Sequence, residues 1–216
     1  RELPPAELVR QFGYCREVAA ALGLTVLTDT SYEADDLIGS AVGVLDRHDC
    51  AAVIVSADKD FGQLISASVE QWDFSRDQRW NMQGIKQRLG VHPEQVADFL
   101  ALMGDAVDNI PGVPGIGAKT AAILLGHFGT LDALLARSDE VAFLRMRGAA
   151  STSQKLREHV ELARLSRQLT GIALDAPVPS GLDGYVRRKP DDELIGALFD
   201  RLRLGPMTRA RVRALD

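Results

Sequence analysis

The sequence contains few of the residues that build disulfide frameworks or zinc sites. Only two of its 216 residues are cysteine and four are histidine, and Cys15 and Cys50 have no metal-site or redox spacing. Two reduced thiols in ordinary packing are expected, and with them a cytoplasmic location. The chain also lacks any apolar run near the roughly 18 residues that span a bilayer, so we expect no membrane partner.

The composition that remains is globular, with an uneven distribution of charge. Hydrophobic residues make up 46% of the chain, which is enough for a folded core in one large domain. The net charge of −5 divides into −9 over residues 1–136 and +4 over residues 137–216. A metal-dependent enzyme with a polyanionic substrate could show this asymmetry, although a scatter of solvated charges is the simpler explanation. The first residue is Arg1 rather than Met, which predicts a fragment or a processed chain.

Apolar spacing predicts an α/β part followed by a helical part. Helical spacing covers residues 4–23 and 32–47, and short apolar runs at 24–27, 51–56 and 69–74 predict strands. Strand, helix and strand in this order are typical of a βαβ unit with a parallel sheet. The later apolar segments all have helical spacing, at 82–89, 93–103, 117–128, 130–136, 153–166 and 190–202.

Acidic residues are concentrated in three short segments: YEADD at 32–36, SADKD at 56–60 and GDAVD at 104–108. Each alone has an ordinary explanation, because acids cap helices and turns, and Thr30 and Glu33 have the spacing of a capping box. The second segment, however, directly follows a predicted strand, at the end where parallel sheets place ligands. If the sheet brings the segments together, the candidate ligands are Glu33, Asp35, Asp36, Asp58, Asp60, Asp105 and Asp108.

Carboxylates gathered in this way would require cations. One pair at about 4 Å costs on the order of 4 kcal/mol at an effective dielectric constant of about 20. Oxygen ligands without histidine or cysteine favour Mg²⁺ or Mn²⁺ over zinc. A cluster this acidic can hold two such ions, an arrangement that cleaves phosphodiesters.

The segment PGVPGIGAKTA at 111–121 predicts a phosphate-binding hairpin. Its glycines permit positive φ and close backbone approach, and the amides of Gly115, Gly117 and the first turn of the next helix can face an anion. That first turn contains Lys119, which adds a mobile charge, and Thr120. Between two helical segments, this pattern is typical of a helix–hairpin–helix clamp that contacts the DNA backbone rather than the bases.

The segments YEADDLIGS, SADKDFGQL and GDAVDNIPGVPGIGAKTAAILL, in this order, resemble the 5′ nuclease (flap endonuclease) family. The family includes the N-terminal nuclease domain of bacterial DNA polymerase I and stand-alone relatives. The segment RRKPDDELIGALFDRLRLG at 187–205 is similar to its closing helix. The resemblance implies a PIN-like α/β core, with a parallel sheet and flanking helices, followed by a helical region that contains a helix–three-turn–helix motif. It also implies one incomplete nuclease domain over residues 1–216, divided at 1–103, 104–136 and 137–216.

The resemblance implies roles for the candidate residues. Glu33, Asp35 and Asp36 would lie at a first metal, with Asp58, Asp60, Asp105 and Asp108 toward a second. Relatives bind K⁺ through backbone carbonyls of the hairpin, which points to Val113 and Ile116. The expected protein is a monomer that hydrolyses DNA near a 5′ flap or a single-strand/double-strand junction, in replication and repair.

The sequence departs from the family pattern at its start. The family begins with two strands that each carry a metal-binding aspartate, followed by a basic helical arch, and none of these precedes residues 1–10 here. A non-catalytic DNA-binding module is therefore an alternative. A phosphatase or phosphotransferase built on Asp58 and Asp60 is another, but it leaves the hairpin unexplained. The cluster Arg187, Arg188 and Lys189 is either solvated or in contact with duplex DNA.

Overall fold

A computed structural model describes residues 4–213. They form two compact units, one of Ser31–Pro177 and one that joins the residues up to Thr30 with those from Val178 onward. The helices are α1 (Ala6–Ala21), α2 (Ala34–Arg47), α3 (Met82–Leu89), α4 (Val96–Met103), α5 (Ala118–Phe128), α6 (Leu131–Ala136), α7 (Ala149–Glu158), α8 (Val160–Thr170), α9 (Asp192–Arg201) and α10 (Pro206–Arg213), and the strands are β1 (Ala52–Val55), β2 (Val69–Asp73) and β3 (Gln78–Trp80).

The sheet of the Ser31–Pro177 unit has the strand order β1, β2, β3. Strands β1 and β2 are parallel, with Val55 opposite Trp72, and β2 and β3 are antiparallel, with Gln71 opposite Trp80. A short 3₁₀ helix, Lys59–Leu64, follows β1 and leads toward β2. The predicted α/β class with parallel pairing is therefore confirmed, and the helical part follows as expected.

The prediction of a strand at residues 24–27 is wrong. These residues have no ladder partner in the described part of the chain, and Leu24 and Val26 are exposed. A β-strand needs a neighbour to pair its backbone groups, which apolar composition alone does not supply. The βαβ unit expected over residues 24–56 therefore lacks its first strand.

Helix α4 is the centre of the helical part. All its residues from Val96 to Leu102 are buried, and it packs against α5 and α8. Its one acid, Asp98, accepts hydrogen bonds from the Leu131 amide at 2.7 Å and from Arg167 Nε at 2.6 Å. This buried carboxylate joins α4 to the start of α6 and to α8, so its role is structural.

The helix predicted at 153–166 is two helices. Helix α7 ends where the His159 amide donates to the Lys155 carbonyl, and His159 has φ −120° and ψ 29°, outside the helical region. The apolar spacing continues across this break, because Leu156 of α7 and Ala163 of α8 are both buried. Periodicity alone therefore could not reveal it.

The smaller unit contains α1, α9 and α10. Its core consists of Ala21 from α1 and Ile195, Leu198 and Phe199 from α9, so the predicted closing helix is confirmed. Within residues 4–213, helices long and apolar enough to cross a bilayer are absent.

Candidate metal centre

Three of the predicted ligands converge in the Ser31–Pro177 unit. One carboxylate oxygen each from Asp60, Asp105 and Asp108 lies within 4.8 Å of the others. Asp105 is buried, Asp60 is half-buried and Asp108 is exposed, so the group is open to solvent on one side. Such a set of hard oxygen ligands suits Mg²⁺ or Mn²⁺.

Asp58 and Asp60 lie in the tight turn that follows β1. Asp58 is the N-cap of the 3₁₀ helix, where its Oδ1 accepts the Asp60 amide at 3.1 Å, and its own amide donates to Ser56 Oγ at 3.1 Å. The turn thereby directs Asp60 toward Asp105. It lies at the carboxyl end of a parallel strand, as the sequence predicts.

Two glutamines that sequence reasoning missed hold this turn. Gln71 of β2 is fully buried, and its amide nitrogen donates to the carbonyl of Ser56 at 2.9 Å and to that of Asp58. Gln63 donates to the carbonyls of Asp60 and Thr170, both at 3.0 Å. A polar residue at an inward-facing strand position is the signal that could have identified Gln71.

Asp105 and Asp108 are positioned by the loop that follows α4. The chain leaves α4 through Gly104 at φ 79°, and Asp105 exchanges two backbone hydrogen bonds of 2.8 Å with Ile110. Asp105 Oδ1 accepts the Val107 amide at 2.9 Å, and Asp105 Oδ2 pairs with Lys59 Nζ at 2.5 Å. The lysine between the two aspartates of SADKD therefore offsets part of the cluster's negative charge.

The carboxylates of this region repel one another. Burial, followed by the charge of Asp58, raises the pKa of Asp60 to about 6; Lys59 opposes the rise, and Asp105 and Asp35 add to it. Asp60 Oδ1 is buried and has no hydrogen-bond donor in the described part of the chain. A cation would supply both the missing partner and the missing charge, so the residues present fit a divalent metal.

The first acidic segment has a different arrangement. Burial, then the charges of Asp58, Glu33 and Asp36, raises the pKa of Asp35, so Asp35 belongs to the same electrostatic cluster. The Glu33 amide donates to Asp36 Oδ2 at 3.0 Å and the Ala173 amide donates to Asp36 Oδ1 at 2.8 Å. Glu33 is thus the N-cap of α2, which corrects the capping box expected at Thr30. The metal roles of Glu33, Asp35, Asp36 and Asp58 remain predictions.

The glycine-rich hairpin lies directly after the cluster in the chain. Gly112 and Gly115 have φ of 64° and 77°, and Gly117 is the N-cap of α5 with open space at its α-carbon. Gly115, Gly117 and Lys119 are exposed, and Thr120 is half-buried. These residues are therefore accessible to solvent, and binding of a phosphate by the amides of Gly115 and Gly117 remains a prediction.

Val113 and Ile116 fasten the hairpin to the core. Their side chains are buried among α4 and α5 residues, the Val113 amide donates to the Leu102 carbonyl at 2.9 Å and the Ile116 amide donates to the Val113 carbonyl at 3.0 Å. Binding of K⁺ by their carbonyls remains a prediction.

Comparison with known protein families agrees with this geometry. A family described as the N-terminal resolvase-like domain of 5′-3′ exonuclease matches residues 1–90, and one described as the C-terminal SAM fold of 5′-3′ exonuclease matches residues 91–193. The chain belongs to the 5′-3′ exonuclease family. The resemblance seen in the sequence is thereby confirmed.

Relatives of this family include long and short proteins. DNA polymerase I of Rhizobium leguminosarum is 35% identical over 216 residues, which cover 100% of this chain and 21% of that protein. A 5′-3′ exonuclease of Buchnera aphidicola is 35% identical over 189 residues, which cover 88% of this chain and 66% of that protein. The chain thus spans about a fifth of the polymerase relatives that it matches.

Solved structures share the fold at lower identity. A T5 5′-exonuclease with bound divalent zinc ions has a TM-score of 0.60 at 23% identity, covering 81% of this chain and 61% of that one. The catalytic core of Rad2 in complex with a DNA substrate has a TM-score of 0.58 at 14% identity, covering 97% and 69%. At these identities the likeness supports the α/β and helical architecture.

Proposed function

We propose that this chain is a divalent-metal-dependent 5′ nuclease that hydrolyses DNA phosphodiesters near a 5′ flap or a single-strand/double-strand junction. The observation that carries the proposal is the convergence of Asp60, Asp105 and Asp108 beside a glycine-rich hairpin in one folded unit. Membership of the 5′-3′ exonuclease family supports it, as do the zinc-bound T5 exonuclease and the DNA-bound Rad2 core.

Asp60, Asp105 and Asp108, together with Asp58, would hold one Mg²⁺ or Mn²⁺ ion, and Glu33, Asp35 and Asp36 are the ligands proposed for another. Ions bound there would supply an activated water and would stabilise the charge that develops on the phosphate. Lys59 holds Asp105 in place. The buried Gln71 holds the Asp58 turn, so the ligands are pre-positioned.

The hairpin would hold the DNA backbone next to this chemistry. Phosphates would contact the amides of Gly115 and Gly117 together with Lys119 and Thr120. Such contacts do not depend on the base sequence of the DNA. K⁺ at the carbonyls of Val113 and Ile116 would add local positive charge. We infer that residues 1–216 belong to one nuclease domain, which acts as a monomer in the cytoplasm. Within it, the hairpin motif covers residues 104–136, between the parts formed by residues 1–103 and 137–216.

The decisive experiment compares binding and cleavage by one variant. Replacing Asp60 and Asp108 by Asn removes two negative ligands at nearly constant volume and leaves the hairpin unchanged. A 5′-flap duplex should still bind in Ca²⁺, while cleavage in Mg²⁺ or Mn²⁺ should fall at least about a thousandfold, the effect of losing roughly 4 kcal/mol of transition-state stabilisation. The matched control replaces Asp49 and Asp132 by Asn, because both are exposed and lie outside the cluster.

Two results would contradict the proposal. Cleavage by the Asp60/Asp108 variant at the wild-type rate would show that these carboxylates are structural. A wild-type protein that binds the flap substrate but never cleaves it with either metal would instead be a non-catalytic DNA-binding module.

A further inference from the structure

The ammonium group of Lys155 lies against the turn of the hairpin. Lys155 is on α7, far along the chain from Gly115. A Cβ atom at Gly115 would overlap Lys155 Nζ and would lie 3.3 Å from Lys155 Cε. Two features therefore favour glycine at position 115. Its φ of 77° disfavours other residues, and the missing side chain leaves space for Lys155.

This ammonium group has no counter-ion within the described residues. No carboxylate of residues 4–213 forms an ion pair or side-chain hydrogen bond with Lys155. Arg157 on the same helix, in contrast, pairs with Asp139. A cation without a partner that is placed on an exposed turn is available to an anion from outside.

We propose that Lys155 is a further phosphate-binding residue of the hairpin, an inference that rests on the proposed function. Lys119 lies in the first turn of α5, just after Gly117, and Lys155 on α7 places its ammonium group against Gly115, so two separate helices contribute a cation to this segment. The ligand is the phosphodiester backbone of duplex DNA. Because the packing of α7 fixes the position of Lys155, its contact would orient the duplex as well as attract it.

The test measures DNA binding as a function of salt. Lys155→Gln removes one phosphate contact, so affinity for a 5′-flap duplex in Ca²⁺ should fall several-fold, and the slope of log K against log salt should decrease in magnitude by about 1. The loss should be the same for unrelated sequences. Lys155→Arg keeps the charge and should retain most of the affinity.

Lys86→Gln is the matched control. It removes the same charge from an exposed position on α3, a helix that packs against β3 and the 3₁₀ helix Pro93–Gln95. Lys119→Gln and Gly117→Asp test the hairpin itself. The thermal midpoints of all variants show whether they are folded. If Lys155→Gln does not fold, Lys155→Met and Lys155→Arg compare the DNA affinity of an uncharged and a charged side chain at the same position.

The outcomes separate this inference from the proposed function. If Lys119→Gln and Gly117→Asp weaken binding but Lys155→Gln behaves like Lys86→Gln, Lys155 is not a phosphate contact and the hairpin remains one. If the wild-type protein does not bind flap DNA at all, the proposed function fails and this inference fails with it. A loss specific to Lys155→Gln with a reduced salt slope supports both.

Discussion

At the scale of single residues, carboxylates of one chemical type have different roles set by their hydrogen bonds. Asp98 has both oxygens occupied by donors from the protein, so it fixes α4 against α6 and α8. Asp60 has a buried oxygen without a donor, and its pKa is raised by burial and by neighbouring charge. A buried carboxylate oxygen that the fold leaves without a donor is therefore a candidate metal ligand.

The raised pKa of Asp60 predicts a pH dependence of metal-free stability. An unfolded aspartate has its ordinary pKa of 3.8, whereas burial and the charge of Asp58 raise the pKa of native Asp60 to about 6. Between these values the native state binds more protons, so this group's contribution to the free energy of unfolding falls as pH rises from about 4 to 6. Partial solvation limits the change to roughly 1–2 kcal/mol.

Urea unfolding in EDTA, from pH 4 to 7, measures this effect. Other acids titrate in the same range. The quantity to compare is therefore the free energy of unfolding of the wild type minus that of Asp60→Asn, a variant that lacks the titrating group. This difference should fall with rising pH. A difference that rises with pH, or stays flat, would show that Asp60 is not the strained acid of the cluster.

At the scale of elements, the metal centre depends on the turn after β1 and on the strand beside it. Gln71 lies at an inward position of β2, opposite Trp80 of β3, and satisfies the carbonyls of Ser56 and Asp58. Its Oε1 is buried without a donor in the described part of the chain. This unsatisfied oxygen lowers the stability of the fold, which is expected of a residue that positions ligands rather than one that only fills space.

Gln71→Met tests this positioning role. The variant keeps the side-chain volume but leaves the carbonyls of Ser56 and Asp58 without this donor, which should destabilise the protein by about 1–3 kcal/mol. Mn²⁺ affinity, measured by calorimetry under folding conditions, should also fall because the Asp58–Asp60 turn is no longer held. Gln83→Met on α3, at an exposed position, is the control. Lost stability with unchanged Mn²⁺ affinity would make Gln71 purely structural.

Much of this arrangement could be predicted from the sequence, because local signals and the parallel pairing of β1 and β2 agree. The apolar run before SADKD and the glycines of the hairpin specify their own local conformations. What could not be predicted depends on contacts remote in sequence. The second donor to Asp36 is the amide of Ala173, and Lys155 meets Gly115 only through packing of α7. The break at His159 could not be predicted for another reason, because the apolar spacing continues across it.

At the scale of the whole molecule, the candidate site lies within one of the two units. All seven predicted metal ligands fall in Ser31–Pro177. Both tryptophans of the chain, Trp72 and Trp80, are in the same unit, on β2 and β3. Tryptophan fluorescence therefore reports the unfolding of the unit that would bind the metal, separately from the unit that contains α1, α9 and α10.

This placement predicts how metal changes thermal unfolding. A ligand that binds only the native state at about 100 times its Kd adds about 2.7 kcal/mol of stability. For a unit of this size, the midpoint followed by tryptophan fluorescence should rise by roughly 5–10 °C in excess Mn²⁺ relative to EDTA. The rise should shrink strongly in the Asp60/Asp108→Asn variant and persist in the Asp49/Asp132→Asn control. An equal rise in both variants would place the bound Mn²⁺ elsewhere on the protein, and no rise in wild type would mean that these carboxylates do not form a metal site.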